Sequence, residues 1–112
     1  MTFSVLTFDH KTGIYAGAAT TGSLCVGGWV LRGDIESGLA ASQGTAPSTF
    51  WRDGALREMF NNKSSEETIA DLTAEDLGRN KRQLSVIDKT GTPFAYTGED
   101  SIPFSGHLVG KN

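Results

Sequence analysis

The first third of the chain has the periodicity of extended segments. Residues 2–8 place apolar side chains at both odd and even positions, which predicts a strand buried on both faces. Residues 9–13, Asp-His-Lys-Thr-Gly, have the composition of a turn, and extended character resumes over 14–21. The two segments together predict a β-hairpin. Small residues dominate the second segment after Tyr15, which indicates that a bulky group packs against it or that a ligand comes close.

The middle of the chain changes from extended to helical periodicity. Two more strands are predicted over 24–32 and 35–42, joined by a turn at 33–34. Apolar residues then recur at helical spacing within 47–60, and the run from Ser64 to Glu67 matches a capping box, the signature of another helix start. This part of the chain is therefore predicted to form a helical layer.

The last third returns to extended segments. Strands over 83–88 and 92–97 flank the short glycine-containing stretch 89–91, which predicts a second hairpin. Strands, then helices, then strands, without βαβ alternation, favour an α+β layered sandwich, and residues 1–112 show no internal domain boundary. Residues 101–112 follow without a helix, which would leave part of the sheet uncovered. We therefore expect the chain to be one part of a larger folding unit.

Composition and charge exclude several classes of partner. A chain of 112 residues is long enough to bury a modest core. The net charge of −3 and a pI near 5.2 argue against nucleic acid as a partner, because phosphate backbones are held mainly by clustered Lys and Arg. The sequence has no signal-peptide pattern and no apolar run near the roughly 18 residues of a membrane span. We expect a cytoplasmic protein with no membrane partner.

Signals for metal or cofactor binding are sparse. His10 and His107 lie far apart in the sequence, His10 in a turn where solvent exposure is expected, and the lone Cys25 lacks the paired spacing of a zinc site. Cys25 stands in an apolar, glycine-rich stretch, where a small buried side chain is the expectation. The glycines of 22–28 lack the lysine of a phosphate-binding loop. We therefore expect neither a metal nor a cofactor.

Two ends of the chain could provide a nucleophile. Thr2 becomes the amino-terminal residue once Met1 is removed, and a terminal threonine can attack with its own α-amine as base. Alternatively, a longer precursor cut after Asn112 would free a nucleophilic residue at the start of a second chain. In that case the polar residues at the end of the small-residue strand would line its pocket, namely Thr20, Thr21 and Ser23.

Several short motifs along the whole chain occur in an order that resembles one known family. They are the opening Thr2–Val5, Asp9 with Thr12-Gly13, Val26-Gly27, Ala40–Gln43, Arg82–Asp88, Gly91, Tyr96–Asp100, and Gly106-His107 with Gly110. No single motif is highly specific, so the resemblance rests on their collinearity. On these residues the chain resembles the DUF1028 family, a branch of the fold of the Ntn hydrolases, the enzymes with an amino-terminal nucleophile.

The resemblance implies a four-layer αββα sandwich, completed by a second chain, and hydrolysis of an amide, lactam or related C–N bond in a small molecule. Family members are longer, and residues 1–112 correspond to their N-terminal half. By this resemblance the chain is the α chain of a self-processed amidohydrolase that ends at Asn112. A β chain from the same precursor would bring the nucleophile, and αβ units would assemble into oligomers. Residues 20–22 lack a basic residue typical of the family, so the pocket chemistry is expected to differ.

The resemblance also assigns roles to individual residues. Thr20, Thr21 and Ser23 are expected in the pocket wall, Gln43 at the substrate or the oxyanion, and His107 in orientation near the cut end. Backbone N–H groups of glycine-rich strands suit an oxyanion hole, where loss of one donor costs about 10²–10³ in rate. The alternative for Gln43 is a buried amide that satisfies strand backbone.

Three classes of function stay open. The first is the autoprocessed α subunit, which predicts a tightly bound second chain starting with Cys, Ser or Thr. The second is an unprocessed hydrolase that uses Thr2. The third is a non-catalytic sandwich that binds a small ligand or a partner and forms no covalent adduct with an electrophilic amide or lactone probe. Intact mass with amino-terminal sequencing separates the three.

Overall fold

The computed structural model describes residues 1–111, and its element order confirms the predicted α+β class. Strands lie at both ends of the chain and helices in the middle. The elements are β1 (Phe3–Asp9), β2 (Ile14–Thr20), α1 (Val26–Val30), β3 (Leu31–Asp34), β4 (Gly38–Gly44), α2 (Thr49–Phe60), α3 (Ser65–Ala74), β5 (Arg82–Asp88) and β6 (Pro93–Thr97), with a 3₁₀ turn at Arg79–Lys81.

The strands form two antiparallel sheets. The predicted hairpin of β1 and β2 is a two-stranded sheet, in which Phe3 stands opposite Thr20 and Asp9 opposite Ile14. The other sheet has four strands in the order β3-β4-β5-β6. Helices α2 and α3 pack on one face of the four-stranded sheet and the hairpin packs on the other. The described chain therefore has three layers, with the large sheet in the middle.

The main core lies between the four-stranded sheet and the helices. Side chains that alternate along β4 and β5 point to this side and pack against one face of α2 and α3. The buried members of this core are Ala40, Trp51, Ala55, Met59, Ile69, Leu84 and Val86. Helix α3 begins with the predicted capping box: the Ser64 hydroxyl accepts from the Glu67 N–H, and the Glu67 carboxylate accepts from the Ser64 N–H.

A smaller core joins the hairpin to the opposite face of the sheet. Phe8, Leu39 and Ile87 are buried there, with Leu6 and Tyr15 against them. The small residues of β2 permit this packing.

Gly17 illustrates the requirement for small residues in β2. A Cβ atom at Gly17 would lie 3.2 Å from Leu6 Cδ2 and 3.5 Å from Leu39 Cδ2. The prediction that a bulky group packs against β2 is confirmed, and the group is this pair of leucines.

The outer face of the hairpin carries apolar side chains that contact solvent. Because side chains alternate along a strand, Ser4, Leu6 and Phe8 point to the sheet while the residues between them point outward. Phe3 is 68% exposed and Val5 is 52% exposed. The prediction that β1 is buried on both faces is therefore wrong for the described residues 1–111, in which nothing covers this side.

Asp88, at the end of β5, connects three parts of the fold. One carboxylate oxygen accepts hydrogen bonds from the Thr90 N–H, the Thr90 hydroxyl and the Thr92 N–H, which close the turn to β6. The other accepts from the Ser65 N–H at the start of α3, at 3.0 Å. The Asp88 carbonyl accepts from the Tyr15 hydroxyl of β2 at 2.8 Å. Burial raises the pKa of the Asp88 carboxyl, but these hydrogen bonds outweigh it and lower the pKa below 3.8.

The segment predicted as a strand over 24–32 contains a short helix instead. Cys25 takes a left-handed conformation with φ of 59° and is exposed, contrary to the expectation of a buried side chain. Helix α1 follows, and the buried Arg52 guanidinium donates to the carbonyls of Gly28 and Trp29, at 2.9 Å each. These carbonyls lie at the helix end, where intrahelical partners are absent. The arginine that satisfies them is more than 20 residues away in the sequence, so local periodicity cannot reveal the helix.

The turn predicted at 33–34 lies two residues later. Gly33 and Asp34 are both in β3, and the Asp34 carboxylate accepts from the Glu36 N–H while the Asp34 carbonyl accepts from the Ser37 N–H. The aspartate therefore starts the turn rather than ending it, as Asp often does when its side chain bonds to the backbone two residues on. Strand β4 begins at Gly38, whose φ is 131°.

Candidate functional site

A groove of about 900 Å³ runs along the hairpin side of the four-stranded sheet. One wall is the start of the chain and the other is the segment that follows β6. The lining comprises residues 1–5, 43–45 and 101–108, together with Gln83, Ser85, Tyr96 and Thr97. The groove therefore lies between the two ends of the described chain, over the strands that connect them.

Five polar side chains form a continuous hydrogen-bonded row at this groove, which we call the polar row. The Ser4 hydroxyl donates to Gln43 Oε1 at 2.7 Å, and Gln43 Nε2 donates to Gln83 Oε1 at 3.2 Å. Gln83 Nε2 donates to Thr97 Oγ1 at 3.1 Å, and Thr97 Oγ1 lies 2.9 Å from His107 Nδ1. The row links the first strand to the segment after the last strand.

Strand register places the centre of the polar row. Gln43 on β4 stands directly opposite Gln83 on β5, and Gln83 stands opposite Thr97 on β6. Directly opposed residues of antiparallel strands have side chains on the same face, within contact distance of one another. Ala41 and Ser85 form the next opposed pair on this face. Leu39 and Ile87 follow, and both belong to the hairpin-side core.

Two backbone carbonyls fix the orientation of the glutamine amides. Gln43 Nε2 donates to the Thr2 carbonyl at 3.0 Å, and Gln83 Nε2 donates to the Gly106 carbonyl at 3.2 Å. A carbonyl oxygen only accepts, so the side-chain atom that faces it must be the nitrogen. The two side-chain oxygens are thereby assigned as well.

The peptide groups on both sides of Thr2 are held. Gln43 Nε2 donates to the Thr2 carbonyl, and the Thr21 hydroxyl donates to the Met1 carbonyl at 3.0 Å. Thr2 itself lines the groove and lies one residue before β1. The start of the chain is therefore fixed at the groove from two directions.

Charged side chains are absent from the groove lining within residues 1–111. The lining contains no Lys, Arg, Asp or Glu, and its titratable groups are Tyr96, His107 and the amino terminus. One hydroxyl, Ser101 Oγ, is buried without a hydrogen-bond partner in the described part of the chain. The site is suited to hydrogen bonding and apolar contact rather than to ion pairing.

The structure brings together three of the residues predicted from the sequence. Thr2, Gln43 and His107 all line the groove, and Gln43 contacts the backbone of Thr2 directly. Gln43 also agrees in part with the alternative prediction, an amide that hydrogen-bonds to strand backbone, because its Nε2 donates to the Thr2 carbonyl. His107 joins the polar row through Thr97.

The other predicted site residues lie apart from the groove lining. Thr20 is the last residue of β2, Thr21 follows it and binds the Met1 carbonyl, and Ser23 is exposed beyond them. None of the three is among the described residues that line the groove. Asn112, the predicted cleavage position, lies outside the described residues.

Sequence reasoning missed Ser4, Gln83, Thr97 and Ser101. A signal was present in β5, where Gln83 and Ser85 alternate with Leu84 and Val86, so that one face is polar and the other apolar. The sequence does not reveal which other strands share the polar face.

A second, smaller cavity of about 360 Å³ lies beside α1 and the start of α2, bordered by Cys25, Trp29, Arg32 and Arg52. The Arg52 guanidinium is engaged by two carbonyls and by Asp53. The Asp53 carboxyl has a lowered pKa, chiefly because it accepts from Arg52.

In residues 1–111, no cluster of three or more His, Cys, Asp or Glu side chains could hold a metal ion. Within the same range, none of the helices has the length and hydrophobicity needed to cross a bilayer.

The sequence matches the model of DUF1028, a family of unknown function, over residues 2–112. The fold is similar to the crystal structure of a DUF1028 protein from Silicibacter pomeroyi, with a TM-score of 0.92 and 47% sequence identity. The similarity covers 96% of this chain and 49% of that protein, so the chain spans about half the length of this relative. No curated protein matches the chain.

Proposed function

The chain belongs to the DUF1028 family, and we propose that it is part of a hydrolase that cleaves a C–N bond of a small-molecule amide in the groove. The observation that carries the proposal is the position of Thr2. It lines the groove near the start of the chain, and Gln43 Nε2 donates to its carbonyl, a contact that does not depend on Met1. A threonine held at the amino terminus beside a ligand-sized groove is what an amino-terminal nucleophile requires.

The proposed chemistry needs few groups. Removal of Met1 frees the α-amine of Thr2, which takes the proton of the threonine hydroxyl as the oxygen attacks the amide carbon. A bond forms between Thr2 Oγ1 and that carbon. The C–N bond then breaks, and the amine passes its proton to the leaving nitrogen. Water hydrolyses the resulting ester, releases the carboxylic acid and restores the threonine.

Gln43 and His107 have positioning roles in this proposal. Gln43 fixes the Thr2 peptide group through its 3.0 Å hydrogen bond, so the nucleophile needs little reorganisation before attack. His107 belongs to the polar row through Thr97 and orients the far end of the site. The absence of charged side chains from the described lining suits an uncharged amide substrate.

We further propose that the other half of a longer protein completes a four-layer αββα sandwich. The described chain contributes one helical layer and two sheets, and the hairpin sheet has an outer face on which Phe3 and Val5 are more than half exposed. Contiguous apolar surface of this kind typically marks an interaction face. The relative is about twice as long as the matched region, which supplies enough chain for another layer.

The processed form, with the nucleophile on a β chain released after Asn112, is the second candidate. In the Silicibacter pomeroyi relative, the matched region makes up only 49% of a single chain. The matched region and the rest of that protein are therefore on one chain, which supports the unprocessed form, with Thr2 as nucleophile, over a cut between the two halves. Both forms would use the same groove.

Mass analysis and substitution of Thr2 test the proposal together. Intact mass and amino-terminal sequencing of the native protein should find Thr2 as the first residue, and a panel of small amides should yield at least one substrate. Thr2→Ala should abolish turnover, Thr2→Ser should retain part of it, and the control Thr20→Ala, outside the groove, should leave it unchanged. A second chain beginning with Cys, Ser or Thr would instead support the processed form. Binding without turnover and without an adduct from an electrophilic amide or lactone probe would support the non-catalytic class and refute both.

A further inference from the structure

The hydrogen-bonding capacity of the polar row restricts which amide the groove can bind. A glutamine side chain has two N–H donors and an oxygen with two acceptor sites. Both N–H groups of Gln43 are used, by the Thr2 carbonyl and by Gln83 Oε1. Both N–H groups of Gln83 are used as well, by Thr97 Oγ1 and by the Gly106 carbonyl. The two amides therefore have no donor left for a ligand.

Acceptor capacity, in contrast, remains on both glutamine oxygens. Gln43 Oε1 accepts one hydrogen bond, from the Ser4 hydroxyl, and Gln83 Oε1 accepts one, from Gln43 Nε2. Each oxygen thus retains one acceptor site among the described residues. The assignment is secure against an exchange of oxygen and nitrogen, since backbone carbonyls face both nitrogens.

The walls of the groove provide the complementary apolar contact. Ile102, Phe104 and Leu108 provide it, from the segment that follows β6. Phe104 and Leu108 are fully exposed in the described chain, so their side chains are available to a ligand. A ligand that fits would place an apolar group along these walls and a hydrogen-bond donor on the glutamines.

We infer that the groove selects a primary or secondary amide with an apolar substituent, and that Gln43 Oε1 and Gln83 Oε1 recognise its N–H group. This inference rests on the proposed function and names the substrate class. A tertiary amide has no N–H and would leave the second acceptor site of each oxygen unfilled. A carboxylate has no N–H to donate to the two oxygens and would place negative charge against them.

A matched ligand series tests the selectivity without any turnover. The full chain carrying Thr2→Ala, which cannot consume an amide, is titrated with phenylacetamide, N-methylphenylacetamide, N,N-dimethylphenylacetamide and phenylacetate. The four share one apolar group and differ in N–H count and charge. We expect the first two to have dissociation constants within a few-fold of each other, and the last two to bind up to about tenfold more weakly, since loss of one hydrogen bond typically costs this much.

Two variants assign the selectivity to residues. Gln83→Leu should narrow the difference in affinity between the primary amide and the dimethyl amide, because one of the two oxygens that distinguish them is lost while Gln43 Oε1 remains. Leu108→Ala, a control on the apolar wall, should weaken all three amides by a similar factor. If Gln83→Leu does not fold, as judged by circular dichroism, the series of four ligands on the Thr2→Ala protein still tests the selectivity.

The outcomes separate this inference from the proposed function. Equal affinity for the dimethyl amide and the primary amide, tighter binding of phenylacetate, or no binding of any of the four would overturn the inference. Hydrolysis of tertiary amides by the Thr2 protein would likewise overturn it while leaving the hydrolase proposal in place. The expected selectivity without hydrolysis of any primary or secondary amide would support the inference and count against the function.

Discussion

Replacement of Asp88 by Asn should destabilise the protein by about 3 kcal/mol at neutral pH. The new side chain can keep one oxygen toward Thr90 and Thr92, but its amide nitrogen must then face the Ser65 N–H, which now has no acceptor. A buried donor left unpaired costs roughly 1–3 kcal/mol, and hydrogen bonds to a charged group are worth about 1.5–3 kcal/mol, more than those to a neutral one. Both effects concern the same carboxylate, so their free energies do not add in full. We therefore expect a total loss of about 3 kcal/mol in the free energy of unfolding, near the upper end of either range alone.

The pH dependence of this difference follows from the lowered pKa of Asp88. Burial alone would raise that pKa, but the hydrogen bonds hold it below 3.8 in the folded protein. A carboxyl whose pKa is depressed by folding contributes stability above its unfolded value, and this stability is lost as pH falls through the folded value. The stability gap between the parent and Asp88→Asn should therefore be full at pH 7 and narrow below about pH 3.8.

The assay is urea unfolding of the full chain, followed by circular dichroism at pH 7 and at several acidic values. Asp9→Asn is the matched control, because Asp9 also accepts from a backbone N–H and a threonine hydroxyl in a turn but is exposed. It should shift the unfolding midpoint much less. An Asp88→Asn midpoint equal to that of the parent at pH 7, or a gap that stays constant on acidification, would refute the reasoning.

Three further substitutions test separate features. Thr21→Val should leave the rate of amide hydrolysis within a few-fold of the parent, because the Met1 carbonyl that its hydroxyl contacts is lost when Met1 is removed; a loss of about tenfold, the typical cost of one hydrogen bond, would contradict this. Ser64→Ala should cost about 1 kcal/mol in urea unfolding, since it removes a helix cap, and an unchanged midpoint would argue against the cap. Gly38→Ala should destabilise more than Ser64→Ala, because φ is 131° and a Cβ would lie 2.2 Å from the Ile87 carbonyl oxygen; a smaller loss in the same assay would contradict that reading.

The elements that the sequence predicted well depend on local signals. The turn before Gly13 and the capping box at Ser64 act within four residues, so their partners can be read from neighbouring positions. Helix α1 was missed because its final carbonyls are satisfied by Arg52, which is distant in sequence. Local periodicity in a short apolar run with adjacent glycines does not separate a strand from a helical turn.

The candidate site could be predicted only in part for a similar reason. Thr2 was identified from chemistry alone, since a threonine at position 2 has a known catalytic use. The partners of Gln43 depend on register: Gln83 becomes its neighbour only when β4 pairs with β5 in one alignment of several that the pattern permits. Ser4 contacts Gln43 only after the hairpin packs on the sheet. The polar row therefore depends on contacts between residues that are far apart in the sequence, and composition does not reveal such contacts.

The exposed apolar face of the hairpin has a consequence for handling the protein. In the described chain β1 and β2 pair only with each other, so each has one edge with unpaired N–H and C=O groups beside that face. Open edges next to apolar surface are templates for strand addition by neighbouring molecules. The protein should therefore self-associate as its concentration rises, so unfolding and binding are best measured on dilute samples.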